Sequence, residues 1–169
     1  MRIYLIGFMG AGKTRLGKEL AQLMGFSFID LDQLIVEQQG QSISRIFETK
    51  GEAYFRALEK ETLLKTSLYK DTIISTGGGT PCFYDNMNWI NTAGTSIFLD
   101  VDHKILCERL WRGRHKRPLI KKLSQAELNA FVEEKMLARL AFYTQAHVHY
   151  KILIEDQKSA AELSSFLKF

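Results

Sequence analysis

The sequence predicts an α/β fold built on a parallel sheet, and three features lead there. Short apolar runs bounded by turn residues recur along the chain, and each is followed by material of helical character. The first run also passes directly into a glycine-rich loop that opens a helix. Strands alternating with helices form parallel sheets, because each crossover carries its helix over one sheet face. Right-handed crossovers then cover both faces.

In chain order, the apolar runs place strands at 3–6, 26–29, 72–75, 95–99 and 150–154. Helical patterns fall at 13–24, 31–39, 43–49, 52–68, 104–111, 125–146 and 159–167, with Ser124 and Lys158-Ser159 as entry residues. In the long helix at 125–146, Phe131, Met136, Leu137, Leu140 and Tyr143 recur at mostly three- and four-residue steps and are expected to form a core-facing stripe. A chain of 169 residues, 46% of them apolar, can enclose one core but not two comfortable ones, so a single domain over 1–169 is expected. No repeat and no Pro-, Ser- or Gly-rich linker interrupts it.

The net charge of +4 invites a nucleic-acid reading, but the excess is spread over many elements and forms no single basic stripe. A site for small polyanions accounts for it equally. Arg112, Arg114, Lys116, Arg117, Lys121 and Lys122 crowd a Gly-containing segment, which reads locally either as a solvated basic loop or as part of such a site. Cys82 and Cys107 stand far apart without C-x-x-C or Cys/His ligand spacing, so neither a disulfide framework nor a zinc site is expected. His103, His115, His147 and His149 show no paired metal-binding spacing and are taken as structural or exposed. Glycines and Lys13 interrupt the first apolar run before it reaches signal-peptide or membrane-spanning length, and a cytoplasmic protein is expected.

The strongest motif is Gly7-Phe8-Met9-Gly10-Ala11-Gly12-Lys13-Thr14, which satisfies G-x-x-x-x-G-K-[ST] between a strand and a helix. Glycines let the backbone wrap phosphate oxygens and turn its N–H groups inward, and the helix adds its positive dipole end. Lys13 is expected to reach the β- and γ-phosphates, and the Thr14 hydroxyl to ligate the Mg²⁺ of the nucleotide. The nucleotide site is expected to comprise Gly10, Ala11, Gly12, Lys13 and Thr14 of this motif, with Arg15 just after it.

The third strand runs into Thr76-Gly77-Gly78-Gly79 and supplies no acidic residue for the metal. Asp30 and Asp32, just past the second strand and on one side by period-two spacing, supply it instead. Asp30 can hold the metal, while Asp32 can accept a hydrogen bond from an attacking hydroxyl and take its proton. Asp also starts helices well, so one of the two can be the N-cap of the helix at 31–39, and both roles can coexist in one residue. The Gly77–Gly79 turn permits close backbone approach to a ligand but would read the same as an ordinary turn before Pro81. Arg56 lies three residues before Glu59, which fits an ion pair as well as a ligand contact.

Taken together, the loop, Asp30-x-Asp32, Phe55-Arg56-x-x-Glu59, Gly77–Gly79, Arg117-Pro118-Leu119 and Arg139-x-x-x-Tyr143 resemble the shikimate kinase family, in that family's order and over nearly the whole chain. The resemblance implies a three-layer α/β/α P-loop kinase fold with a five-stranded parallel sheet. It implies ATP-dependent phosphorylation of the 3-hydroxyl of shikimate, giving shikimate 3-phosphate and ADP. Asp32, Arg56, Gly78, Gly79 and Arg139 would bind shikimate, Glu59 would support them, Asp30 and Thr14 would serve Mg²⁺, and Lys13, Asp32 and Arg117 would be catalytic. A mobile lid at about 112–123 would carry Arg117 to the transferred phosphate and Arg112 near the adenine, with Arg114 as the alternative. Two guanidinium groups suit an acceptor carboxylate in their own right, because each can donate two parallel hydrogen bonds.

Glu155-Asp156-Gln157 stands where the family has an Asn- or Arg-containing adenine turn, and Gln157 is the nucleotide contact expected there. Thr80-Pro81-Cys82 likewise replaces a more common small apolar continuation of the glycine triplet. The expected partners are ATP and shikimate, with no nucleic acid, no membrane and a monomeric state. A related sugar-acid kinase such as a gluconate kinase, and a noncatalytic nucleotide- or RNA-binding module, are the competing readings. Arg56 with the glycine triplet argues against the first, and two carboxylates beside the loop, which repel polyanions, argue against the second.

Overall fold

The structure, a computed structural model, describes residues 1–155 and 159–167. Five strands, β1 (Arg2–Ile6), β2 (Ser27–Asp30), β3 (Thr72–Ser75), β4 (Thr95–Val101) and β5 (Val148–Ile152), pair in the order β2-β3-β1-β4-β5. All pairings are parallel, with Ile3 opposite both Ile73 and Thr95. Around them lie α1 (Lys13–Met24), α2 (Leu31–Gln39), α3 (Ile43–Lys65), α4 (Asn86–Ala93), α5 (His103–Arg112), α6 (Gln125–Tyr143) and α7 (Ser159–Leu167).

Strand periodicity divides the core into two layers. Ile3, Leu5, Ile73, Ile97 and Leu99 face Leu16 and Leu20 of α1, Leu106 and Leu110 of α5, and Leu163 of α7. The alternate residues Tyr4, Ile6, Ile74 and Phe98 face Leu63 of α3, Ile90 of α4 and Tyr143 of α6. Both faces of the sheet are covered, giving the three layers expected. A smaller cluster, Ile35, Ile46 and Phe55, joins α2 to α3. No described helix is long and apolar enough to cross a membrane.

Several boundaries differ from the sequence reading for identifiable reasons. The last strand begins two residues earlier than its expected start at 150, because β5 is an edge strand whose alternating Val148–Ile152 pattern pairs with β4 while Leu153 and Ile154 stay exposed. The two helical stretches at 43–49 and 52–68 run on as α3, broken only at Gly51, whose φ of 81° is non-helical. Sequence reading missed α4, an eight-residue helix rich in Asn and without a side-chain cap, which docks through Met87 and Ile90. The stripe expected on α6 is corrected: Leu137 is 68% exposed and Leu140 is 38% exposed. The buried seam is Leu128, Val132 and Tyr143, with Met136 packed against it and Arg139 partly buried on the same row. The capping box at Ser124 and Glu127 starts α6 where expected.

Candidate active site

The loop between β1 and α1 carries Gly7, Gly10 and Gly12 at φ of 140°, 81° and 94°. A side chain at Gly10 would strain the backbone and bring its β-carbon to 2.8 Å from Leu110 Cδ2. No side chain caps the first turn of α1 and no acidic residue lies in it, so its N–H groups remain available to an anion. Lys13 closes the loop from inside, its Nζ donating to Gly7 O at 2.7 Å and Phe8 O at 2.9 Å. Burial pushes the Lys13 ammonium down to about 8, with Asp32 and Asp30 opposing the shift and Arg139 adding to it. Phosphate oxygens would supply the negative charge that this buried ammonium lacks.

At the end of β2, Asp30 divides its two oxygens. Oδ1 caps α2 by accepting from the backbone N–H groups of Asp32 and Gln33, and Oδ2 accepts from Thr14 Oγ1 at 2.6 Å. The N-cap and the Thr14 partner are therefore one residue. Burial pushes the Asp32 carboxyl up to about 6, helped by the neighbouring Asp30 and Glu59 carboxylates. A cavity of about 340 Å³ joins Lys13, Thr14, Asp30 and Asp32 to Ser75, Thr76, Gly78 and Arg117.

The Gly77–Gly79 turn lies where three elements converge. A β-carbon on Gly77 would stand 2.8 Å from Asp32 Oδ1, and one on Gly79 would stand 2.9 Å from the Arg56 guanidinium. One on Gly78 would approach Arg139 Nη1 to 3.3 Å. Asp32, Arg56, Gly78, Gly79 and Arg139 are thus brought together. Arg56 Nη1 donates to Glu59 Oε2 at 2.9 Å, Glu52 accepts from its Nε and Nη2, and the guanidinium stacks 3.9 Å from the Phe83 ring centroid. The ion pair and the site position coexist. Arg139 has no carboxylate partner among the described residues and lies 5.3 Å from the Phe8 ring centroid. One helical turn on, Tyr143 donates to Gly78 O and fastens α6 to the glycine turn.

On the far side of the loop, a second cavity of about 350 Å³ is lined by Ala11, Gly12, Arg15, Arg109, Arg112 and Glu155 among others. Arg112 Nη2 and Arg109 Nε both donate to Glu155 Oε1, at 3.1 and 3.3 Å, and Arg109 Nη1 also reaches Ala11 O. Arg114 instead stacks on Trp111, 3.8 Å from its ring centroid, away from this cavity. Arg15 lines both cavities and pairs with Glu19. Arg117 donates to Gly113 O at 2.9 Å and lines the cavity holding Lys13 and Asp32. Gln157 lies outside the described residues.

Sequence reasoning passed over Glu52 and Phe83, gave Arg109 no site role, and met Glu155 and Thr80 only as departures from the family pattern. Glu52 was detectable from its i,i+4 spacing to Arg56. Contacts of Arg109 and Phe83 join residues remote in sequence and left no local signal.

Comparison with known proteins identifies the family. A profile of the shikimate kinase family matches residues 9–168. The shikimate kinase of Parabacteroides distasonis is 46% identical over 158 residues, covering 92% of this chain and 91% of the relative. The crystal structure of shikimate kinase from Bacteroides thetaiotaomicron superposes with a TM-score of 0.91 at 39% identity, covering 97% of this chain and 93% of that one. Shikimate kinase from Acinetobacter baumannii in complex with shikimate superposes at 0.83 and 30% identity, covering 98% and 89%. The chain belongs to the shikimate kinase family.

Proposed function

We propose that this enzyme transfers the γ-phosphoryl group of ATP to the 3-hydroxyl of shikimate, yielding shikimate 3-phosphate and ADP on the route to chorismate and aromatic amino acids. The observation that carries the reading is the position of Asp32. It shares one cavity with Lys13 and Thr14, and on its other side it reaches the Gly77–Gly79 turn where Arg56 and Arg139 converge. A phosphate cradle and a two-guanidinium carboxylate site therefore flank one carboxylate.

In this reading Gly10, Ala11, Gly12 and Thr14 hold the phosphates through backbone N–H groups, while Arg15 and Arg112 border the rest of the nucleotide. Arg56 and Arg139 hold the shikimate carboxylate, and Gly78 and Gly79 let the ring approach the backbone. Asp32 orients the attacking hydroxyl and accepts its proton, a role suited to a carboxyl pushed up to about 6. Lys13 and Arg117 face the charge that develops on the transferred group. Thr14 Oγ1 and Asp30 Oδ2 offer hard oxygen donors at one point, which fits Mg²⁺. When bound, Mg²⁺ neutralises phosphate charge. The segment at 112–123 acts as a lid that excludes water, the chain works as one domain and as a monomer, and its setting is the cytoplasm, with neither nucleic acid nor membrane as partner.

A coupled ADP-release assay with shikimate, gluconate and nucleoside monophosphates, each with and without Mg²⁺, tests this. Turnover with shikimate alone and dependent on Mg²⁺ is expected. Equal rates with gluconate would overturn the acceptor assignment.

A further inference from the structure

Glu59 is 1% exposed, yet it carries a carboxylate that touches both the acceptor clamp and the surroundings of Asp32. Each of its oxygens has its own donor. Oε2 accepts from Arg56 Nη1 at 2.9 Å, and Oε1 accepts from Thr80 Oγ1 at 2.6 Å. Thr80 is fully buried. It is fixed from two sides, because its backbone N–H donates to Gly77 O at 3.2 Å and its carbonyl accepts from Asn86 Nδ2 at 2.9 Å. A β-branched side chain on a fixed backbone has few χ1 choices, so the hydroxyl is aimed at Glu59 in advance.

The Glu59 oxygen that Thr80 holds faces another acid. A β-carbon on Gly77 would lie 2.8 Å from Asp32 Oδ1, 2.9 Å from Glu59 Oε1 and 2.9 Å from Thr80 Oγ1, so these three oxygens surround one point. Glu59 helps push the Asp32 carboxyl up, so the two acids repel, and a buried acceptor without a donor is strongly disfavoured. Thr80 supplies the donor. Besides Glu59, the Arg56 guanidinium meets Glu52, which is 58% exposed and holds it through a water-screened pair, and the Phe83 ring, which sets its plane but not which carboxylate it meets.

We propose that Thr80 is a positioning residue for the acceptor clamp: by holding Oε1 of Glu59, its hydroxyl turns Oε2 toward Arg56 and so sets the direction in which that guanidinium meets the acceptor carboxylate. The inference rests on the acceptor assignment above and goes beyond it, because the family resemblance gave this position only as a departure from a small apolar residue. Without the hydroxyl, Glu59 rotates away from Asp32 and Arg56 loses its fixed partner. The hydrogen bonds from Thr80 to Glu59 and from Arg56 to Glu59 involve no residue of the phosphate loop.

Three variants separate positioning from plain structural support. Thr80→Val keeps the shape and removes the donor, Thr80→Ala removes it without placing a methyl against the carboxylate, and Thr80→Ser keeps the hydroxyl on a smaller side chain. Thr80→Val, or Thr80→Ala if the valine form does not fold, should raise the shikimate KM and Kd about tenfold, within the range of a hydrogen bond to a charged group, and leave the ATP KM within about twofold. Thr80→Ser should restore shikimate affinity to within about threefold. Wild-type shikimate affinity in the donor-free variant, or equal losses in serine and valine forms, would overturn the proposal. A crystal structure of the donor-free variant decides the matter without reference to any acceptor. Loss of the Arg56–Glu59 contact supports the positioning role, and an unmoved Arg56 contradicts it even if shikimate proves not to be the substrate.

Discussion

Thr14 Oγ1 donates to Asp30 Oδ2 at 2.6 Å, joining the first turn of α1 to the end of β2 across the mouth of the phosphate loop. The hydroxyl keeps its lone pairs while it donates, so both oxygens can face one cation from the same side. Asp30 is also the cap of α2 through its other oxygen, which lets a single substitution separate the two jobs.

Asn caps a helix about as well as Asp but offers a metal a weaker, uncharged oxygen. Asp30→Asn should therefore keep the wild-type melting temperature within a few degrees and raise the Mg²⁺ concentration for half-maximal activity about tenfold, a figure set by the loss of one charged ligand. Activity titrated against Mg²⁺ checks this. An unchanged Mg²⁺ requirement would leave Asp30 as a cap alone.

Asp32 has its folded-state pKa raised from 3.8 to about 6, so its charged form opposes folding. Stability from this group is fully present below the unfolded value and is lost as pH rises through about 6. Asp32→Asn should thus stabilise the nucleotide-free protein near pH 8, on the order of 2 kcal/mol, and hardly at all near pH 4. Phosphoryl transfer should be lost at either pH. Melts at both values measure the contrast, and equal shifts would show that the burial cost is not electrostatic.

Arg117 reaches the central cavity from a basic segment that contains no strand and only one short helical turn among the described residues. An arginine meeting the group in flight acts chiefly in the transition state, so Arg117→Ala should lower kcat about 10³-fold with a small change in ATP KM. A loss confined to KM that shrinks with added salt would assign it to steering instead.

Arg139 and Arg56 differ in a way that only the structure reveals. Both should lose about 1.5–3 kcal/mol of shikimate affinity on change to Lys, because an ammonium lacks the planar fork. Arg56→Lys should also lower the melting temperature, since buried Glu59 depends on that guanidinium, whereas Arg139→Lys should not. Calorimetric titration beside thermal melts tests the pair. Equal melting losses would place Arg139 in a structural role.

The sheet, the phosphate loop and the helices that flank them could be read from sequence because each is encoded locally. Apolar runs make strands, positive-φ glycines shape the loop, and Ser124 with Glu127 starts α6. The resemblance grouped Asp32, Glu59 and the glycine triplet, but the Thr80 hydroxyl on Glu59 could not be read, since the two come from different elements and meet only in the folded chain. The α6 stripe misled because Leu137 and Leu140 are apolar yet exposed, while the partly buried row includes the charged Arg139. A hydrophobicity pattern cannot reveal a helix face that is buried for the sake of a guanidinium.

Phosphorus NMR of the product formed from ATP and shikimate tests the central claim most directly. The predicted result is a single phosphomonoester on the 3-hydroxyl, formed in step with ADP and absent in Lys13→Ala. A phosphate on another hydroxyl, or ATP consumption that shikimate does not accelerate, would contradict the account.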